Sequence, residues 1–192
     1  ELARRGHRVD LYDRCAEPAT QAAAWNEGKI HLGLVYANDP TAQTYHRMLP
    51  GALHFESCLT RWIDGPIPST STPFQYAVHR TSILSPEEVE GHFAAVAARY
   101  ETLRGELKLD YLGVSDEPFY RRLSAREEAD TFGDGAVLAA FRTIERAVNP
   151  RAVARALREA IAAESNIAFH AGAEIDAVEE AGADGYVISG RR

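Results

Sequence analysis

Residues 1–14 read ELARRGHRVDLYDR, and this short stretch constrains the fold more than anything else in the chain. Glu1–Arg5 have the character of the last turns of a helix. Gly6 stands where a helix-terminating glycine stands, because only glycine enters the left-handed region without a Cβ clash. Val9–Tyr12 form an apolar-rich run with Asp13 at its end. Helix, glycine, strand and acid in that order make the second half of a dinucleotide-binding βαβ unit. In such a unit the acid at the strand tip accepts hydrogen bonds from the ribose hydroxyls of an adenosine. The first half, a strand and a glycine-rich turn, is expected upstream of Glu1. On spacing alone a second reading stays open, in which Asp13 is simply an acid in a polar turn.

The rest of the chain divides into three zones. Residues 1–38 hold the nucleotide-type start and a glycine-containing stretch. Residues 39–145 mix helix and strand. Residues 146–192 return to a helix followed by short strands. In the middle zone Asp39 and Pro40 suit the N-cap and first position of a helix, with Pro50-Gly51 marking a kink or break. Residues 64–73 (DGPIPSTSTP) read as a loop. Gln75–His79 read as a strand. Ser85-Pro86-Glu87-Glu88 is a capping box, and Val89, Phe93, Val96, Tyr100 and Leu103 recur at helical spacing, so 86–104 is predicted helical. Leu107, Leu109 and Tyr111 alternate with polar residues and predict a half-buried strand. Ser124 and Glu127 form a second capping box before a short helix, and Val137–Ile144 read as a strand.

The third zone starts with Asn149-Pro150 as N-cap and first helical residue. Val153, Leu157 and Ile161 line one face of a helix ending near Ala163. Ile167–Phe169, Glu174–Val178 and Tyr186–Ile188 are predicted strands, the last two a hairpin across Gly182-Ala183-Asp184-Gly185.

Charge and composition exclude several functions. A net charge of −7 with no basic run argues against a nucleic-acid surface. Cys15 and Cys58 make neither a disulfide framework nor a metal site, and a reducing cytoplasm is expected. No apolar stretch is long enough to span a bilayer, and none within these residues reads as a signal peptide, although one could lie upstream. The seven histidines show no HxH or HExxH spacing, so no metal site is expected. No GxSxG element points to a nucleophilic hydrolase. One further stretch could carry chemistry, Trp25-Asn26-Glu27-Gly28-Lys29-Ile30-His31-Leu32-Gly33. Its glycines permit close approach of backbone to a flat ligand. From composition alone, a loop leading into a strand is the favoured account of it.

Four segments in this order resemble the FAD-dependent D-amino-acid oxidase family, which includes glycine oxidase, sarcosine oxidase and D-amino-acid dehydrogenase. ELARRGHRVDLYDR resembles that family's first helix end and second strand. WNEGKIHLG resembles its segment beside the flavin. FRTIERAVNPRAVARALREAI resembles the strand and helix that lead back into the cofactor domain. IAFHAGAEIDAVEEAGADGYVISG resembles the strands that follow. The middle zone is only loosely similar.

The resemblance implies an α/β fold, with a partial Rossmann-like FAD-binding domain and an inserted α+β substrate domain. The cofactor domain would comprise 1–38, without its glycine-rich loop, and the return segment 146–192. Residues 39–145 would supply the substrate domain. The implied cofactor is FAD. Asp13 would bind the adenosine ribose, with Arg14 beside it near the phosphates. Asn26, Gly28, Lys29 and Ile30 would lie near the isoalloxazine ring or the pyrophosphate, with Lys29 or His31 a cation that tunes the ring. Ile175 would offer its backbone to the adenine, where the family usually has Val.

The implied activity is hydride transfer to flavin from a C–N bond of a small amine or amino acid. An arginine suits a substrate carboxylate, but the chain offers too many to select one. Two departures stand out: the glycine-rich loop and the family's C-terminal half both lie outside these 192 residues. A parallel sheet left without those parts would have an exposed edge, so the isolated chain is expected to associate. The alternatives are a flavin oxidoreductase of a non-amine substrate, or a non-catalytic nucleotide-binding fragment.

Overall fold

The computed structural model describes residues 1–67, 73–114, 116–133, 135–182 and 185–191. The chain forms two units. The first comprises Glu1–Glu27, Trp62–Pro66 and Asn149–Arg192, and the second Gly28–Arg61 and Ile67–Val148.

In the first unit a single 3₁₀ turn, Ala3–Arg5, ends at Gly6, whose φ of 88° is the left-handed cap expected of it. Its N–H closes the turn on the Ala3 carbonyl at 2.9 Å. Strand β1 (Val9–Asp13) follows, half-burying Val9, Leu11 and Asp13 while Asp10 and Tyr12 face out. It pairs in parallel with β5 (Ile167–Ala171), Leu11 opposite Phe169 and Asp13 opposite Ala171. A parallel pair needs a long crossover, and here the intervening chain supplies it. Helix α4 (Pro150–Ala163) precedes β5, and the Asn149 side chain accepts from the Ala152 N–H at 3.1 Å, as an N-cap should. β6 (Glu174–Glu180) and β7 (Tyr186–Arg191) form the expected antiparallel hairpin, with a bulge between Ile175 and Ala177. Residues 183–184 of its turn lie outside the described residues.

The second unit is α+β. Strands β2 (Gln75–His79), β3 (Tyr120–Arg122) and β4 (Val137–Thr143) form an antiparallel sheet in the order β2-β4-β3. Helices α1 (Gln43–Leu59), α2 (Pro86–Leu107) and α3 (Ala125–Phe132) accompany it. Both predicted capping boxes are made: Ser85 with Glu88 starts α2, and Ser124 with Glu127 starts α3. Phe93 of α2 is fully buried and packs edge-on against Phe141 of β4, centroids 5.3 Å apart. Tyr76 and Tyr120 close the same cluster from β2 and β3.

Three local expectations are corrected. Helix α1 begins at Gln43, not at Asp39-Pro40, because Ala42 is left-handed at φ 59°. Asp39 still caps it from a distance, accepting from the Thr44 N–H at 3.0 Å and from the Thr44 and Thr41 hydroxyls at 2.6 Å each. These bonds hold the Asp39 carboxyl well below the ordinary carboxylate range. Pro50 does not break the helix, which continues to Leu59. Leu107–Tyr111 is not a strand: α2 runs through Leu107 and ends on left-handed Lys108. Tyr111 is fully buried because its hydroxyl is tied into the second unit's interior, and alternation mimicked a strand there. The three-residue β3 was not foreseen. Of the predicted 64–73 loop, residues 68–72 lie outside the described residues.

Candidate cofactor site

The predicted residues divide between the units. Asp13, Arg14, Asn26 and Ile175 belong to the first, and Gly28, Lys29 and Ile30 to the second.

Asp13 ends β1. Its Oδ1 accepts the Cys15 N–H at 2.8 Å, and its carbonyl accepts the Ala173 N–H at 3.0 Å. The first bond fixes the carboxylate's orientation, while Oδ2 has no hydrogen-bond partner among the described residues. A half-buried, oriented carboxylate with a free oxygen at the end of a parallel strand suits a vicinal diol. Arg14 beside it is exposed, with no ion pair among the described residues. On the same unit Tyr12 stacks on His170, centroids 4.5 Å apart, beside an open groove of about 210 Å³ that Ile175 and Ile188 also line. His170 Nε2 lies 2.7 Å from Asp10 Oδ1, and this bond, the largest influence on it, lowers the Asp10 carboxyl. Ile175 itself is 40% exposed.

Asn26 lies in a second groove of the first unit, at the start of α4, walled by Trp25, Asn149 and Arg151. The Arg151 guanidinium sits 4.0 Å from the Trp25 ring centroid. The Asn26 amide donates to the carbonyls of Ala22 at 2.9 Å and Ala23 at 3.2 Å.

The second unit holds Gly28–Gly33 tightly. Gly28 is left-handed at φ 67° and its carbonyl accepts the Val148 N–H at 2.8 Å. Lys29 forms a bridge with Ala147. Ile30 is buried, and both of its backbone groups are engaged. Its N–H reaches the Arg146 carbonyl at 3.1 Å and its carbonyl accepts the Tyr111 hydroxyl at 2.8 Å. Both backbone groups of Ile30 are thus committed within the unit. The Lys29 side chain is 10% exposed, and its ammonium pairs with the fully buried Glu145 at 3.0 Å and lies over the Phe74 and Tyr76 rings. The Tyr76 hydroxyl bonds both Lys29 and Glu145.

Glu145 and Tyr111 are the residues sequence reading missed. The signal for Glu145 was an acid near the end of a mostly apolar stretch, VLAAFRTIERAV, where a buried charge is costly unless it is paired. Burial raises the hydroxyl pKa of Tyr111 above the ordinary phenol range. Cys15 and Cys58 are free thiols. Among the described residues no group of three His, Cys, Asp or Glu could hold a metal ion, and no helix is long and apolar enough to cross a membrane.

A parallel strand pair with helix α4 in one unit, and an α+β second unit, make this a mixed α/β protein with a partial Rossmann-like fold. The chain belongs to the FAD dependent oxidoreductase (DAO) family, whose model matches residues 1–192. FAD is that family's cofactor. Among curated proteins none matches the chain.

Solved structures share the fold. Glycine oxidase from Geobacillus kaustophilus is 18% identical with a TM-score of 0.57, over 98% of this chain and 46% of its own. NikD, an amino acid oxidase of nikkomycin biosynthesis, is 17% identical with a TM-score of 0.60, over 98% and 43%. L-α-glycerophosphate oxidase from Mycoplasma pneumoniae, solved with FAD bound, is 16% identical with a TM-score of 0.58, over 99% and 46%. The chain spans less than half the length of these structures.

Proposed function

We propose that the protein is an FAD-dependent oxidoreductase that takes a hydride from the carbon of a C–N bond in a small amine or amino acid. The family match across the whole chain is the observation that carries this reading. When bound, FAD supplies the two-electron acceptor. Asp13 holds the adenosine ribose through Oδ2, and Arg14 stands beside it for the phosphates. Asn26, Gly28, Lys29 and Ile30 serve the isoalloxazine or pyrophosphate, Ile30 through its side chain. Ile175 offers backbone to the adenine. Residues 1–38 and 146–192 serve the cofactor, and 39–145 the substrate. The two free thiols suit a reducing cytoplasm.

The amine class draws support from the names of the structural neighbours glycine oxidase, iminodiacetate oxidase and NikD. A second reading, oxidation of a hydroxyl-bearing carbon, draws support from L-α-glycerophosphate oxidase, which is equally similar in fold.

The test is the visible spectrum of the protein at its full natural length, followed by anaerobic mixing with a panel of amines, amino acids, hydroxy acids and α-glycerophosphate. Bleaching of the flavin band by an amine or amino acid, with release of ammonia or an amine product, is expected. Bleaching by hydroxyl compounds alone would replace the first reading by the second. A protein without flavin would overturn both.

A further inference from the structure

Glu145 is an acid with no exposed surface just beyond Thr143, the last residue of β4, and its two oxygens do different jobs. Oε1 accepts the Leu32 N–H at 2.7 Å. Oε2 lies 3.0 Å from the Lys29 ammonium and also accepts the Tyr76 hydroxyl. One carboxylate thereby grips the 28–32 segment at two points three residues apart, by its backbone and by its only lysine. Tyr111 and Arg146 tie the intervening Ile30, by the bonds already described. All of these residues belong to the second unit. A buried carboxylate is costly unless paired and hydrogen-bonded, so an apolar segment keeps one only where it has bonding work to do. The pairing has an electrostatic consequence. A cation 3.0 Å from a buried anion presents a dipole to its surroundings, not a net charge.

We propose that Glu145 is the positioning residue of the flavin-facing segment Gly28–Leu32, and that Lys29 enters that segment as half of a neutral ion pair. The inference rests on the assignment of this segment to the cofactor. It replaces the expectation that Lys29 is a free cation tuning the flavin. The backbone grip on Leu32 sets where the segment stands. The ion pair with Tyr76 fixes the lysine while cancelling its charge.

The test uses three variants of the flavin-loaded protein at its natural length: Glu145→Gln, Lys29→Met/Glu145→Gln, and Lys29→Met/Glu145→Leu. The readouts are the dissociation constant of FAD, from titration of apoprotein, and the flavin midpoint potential. Both double variants are uncharged at the pair, but only glutamine keeps an acceptor for the Leu32 N–H. Glu145→Gln alone strands the lysine charge and should raise the potential, because a nearby cation favours the reduced, anionic ring. Adding Lys29→Met should return the potential to the wild-type value. The Leu double variant should bind FAD at least tenfold more weakly than the Gln double variant. If the single variant does not fold, the comparison of the two double variants with wild type decides.

A Gln double variant whose potential stays below wild type would show a free cation lost and overturn the neutral pair. Equal FAD affinity in the two double variants would overturn the positioning role, even if both melt earlier than wild type. Wild-type protein that takes up no FAD would overturn the cofactor assignment itself. Wild type that binds FAD alongside variants that all match it would overturn this inference alone.

Discussion

Replacing Gly33 by alanine should cost the second unit more than any other single methyl group considered for it. Gly33 has φ of 102°, a left-handed conformation, and an added Cβ would stand 2.3 Å from the Tyr45 Cβ and 2.8 Å from its Cα. Tyr45 is buried at the start of α1, so its backbone cannot yield without moving the helix. Left-handed backbone costs a non-glycine residue about 1–2 kcal/mol, and overpacking a tight contact costs about 1–3 kcal/mol more. The expected loss is therefore about 2–5 kcal/mol. Gly51 is the control. It is an exposed residue of α1 with nothing within 4 Å of an added Cβ. Alanine there should stabilise by about 0.5–1 kcal/mol, through helix propensity.

The two substitutions add the same atom and differ in sign. Together they should separate by about 2.5–6 kcal/mol, or about 5–24 °C in unfolding midpoint at roughly 2–4 °C per kcal/mol. Thermal and urea unfolding followed by circular dichroism at helical wavelengths reads this directly. A Gly33→Ala protein as stable as Gly51→Ala would refute the contact geometry at Tyr45. The same result would return Gly33 to the role its sequence context suggested, a glycine spared for a flat ligand. In the structure it is spared for a neighbouring helix.

Further outcomes are expected elsewhere. Asp13→Asn keeps the bond from Cys15 but loses the charge on the free oxygen, so FAD should bind about 10- to 150-fold more weakly, a charged hydrogen bond being worth about 1.5–3 kcal/mol; unchanged affinity in a fluorescence titration would remove Asp13 from the site. Tyr111→Phe strips a partner from the buried Ile30 carbonyl and from the Arg146 N–H, which the hydroxyl accepts at 3.0 Å. It should cost about 2–6 kcal/mol in urea unfolding, at about 1–3 kcal/mol per unsatisfied group, and a loss near zero would deny the bridge. Glu127 has its carboxyl lowered from 4.5 to about 2, first by Arg121 and then by the Ser124 N–H and hydroxyl. Its contribution to α3 is complete above pH 4.5 and is lost as pH falls through about 2. Amide exchange in α3 should accelerate across that window in wild type, and Glu127→Gln should show no such acceleration.

Local signals in the sequence were legible wherever a residue acts on its near neighbours. Ser85 with Glu88, Ser124 with Glu127, Asn149 with Pro150, and Gly6 each act within four residues, and all four end or start an element where read. The failures share a cause too. Asp39 is a capping residue, but it reaches Thr44, five residues on, across left-handed Ala42, and no adjacent-residue rule anticipates that span. The alternation of Leu107, Leu109 and Tyr111 suggests a strand. Tertiary bonding decides otherwise, because the Tyr111 hydroxyl meets Ile30, 81 positions away.

The candidate site follows the same division. The place of Asp13 at the end of β1 was legible because a strand tip and its acid are neighbours in sequence. Glu145 was not, because its partners Lys29, Leu32 and Tyr76 lie 69 or more positions away. The consequence reaches the chemistry. Read alone, Lys29 is a lone cation in a glycine-bracketed stretch, and tuning a flavin by charge is its natural role. Set against Glu145 it carries no net charge to its surroundings, and what remains is its hold on the backbone between Gly28 and Leu32. A cation's function cannot be read from its own segment when its counterion is brought by a distant one. The electrostatics of this segment therefore belong to the stretch that follows β4 as much as to the motif that first marked it.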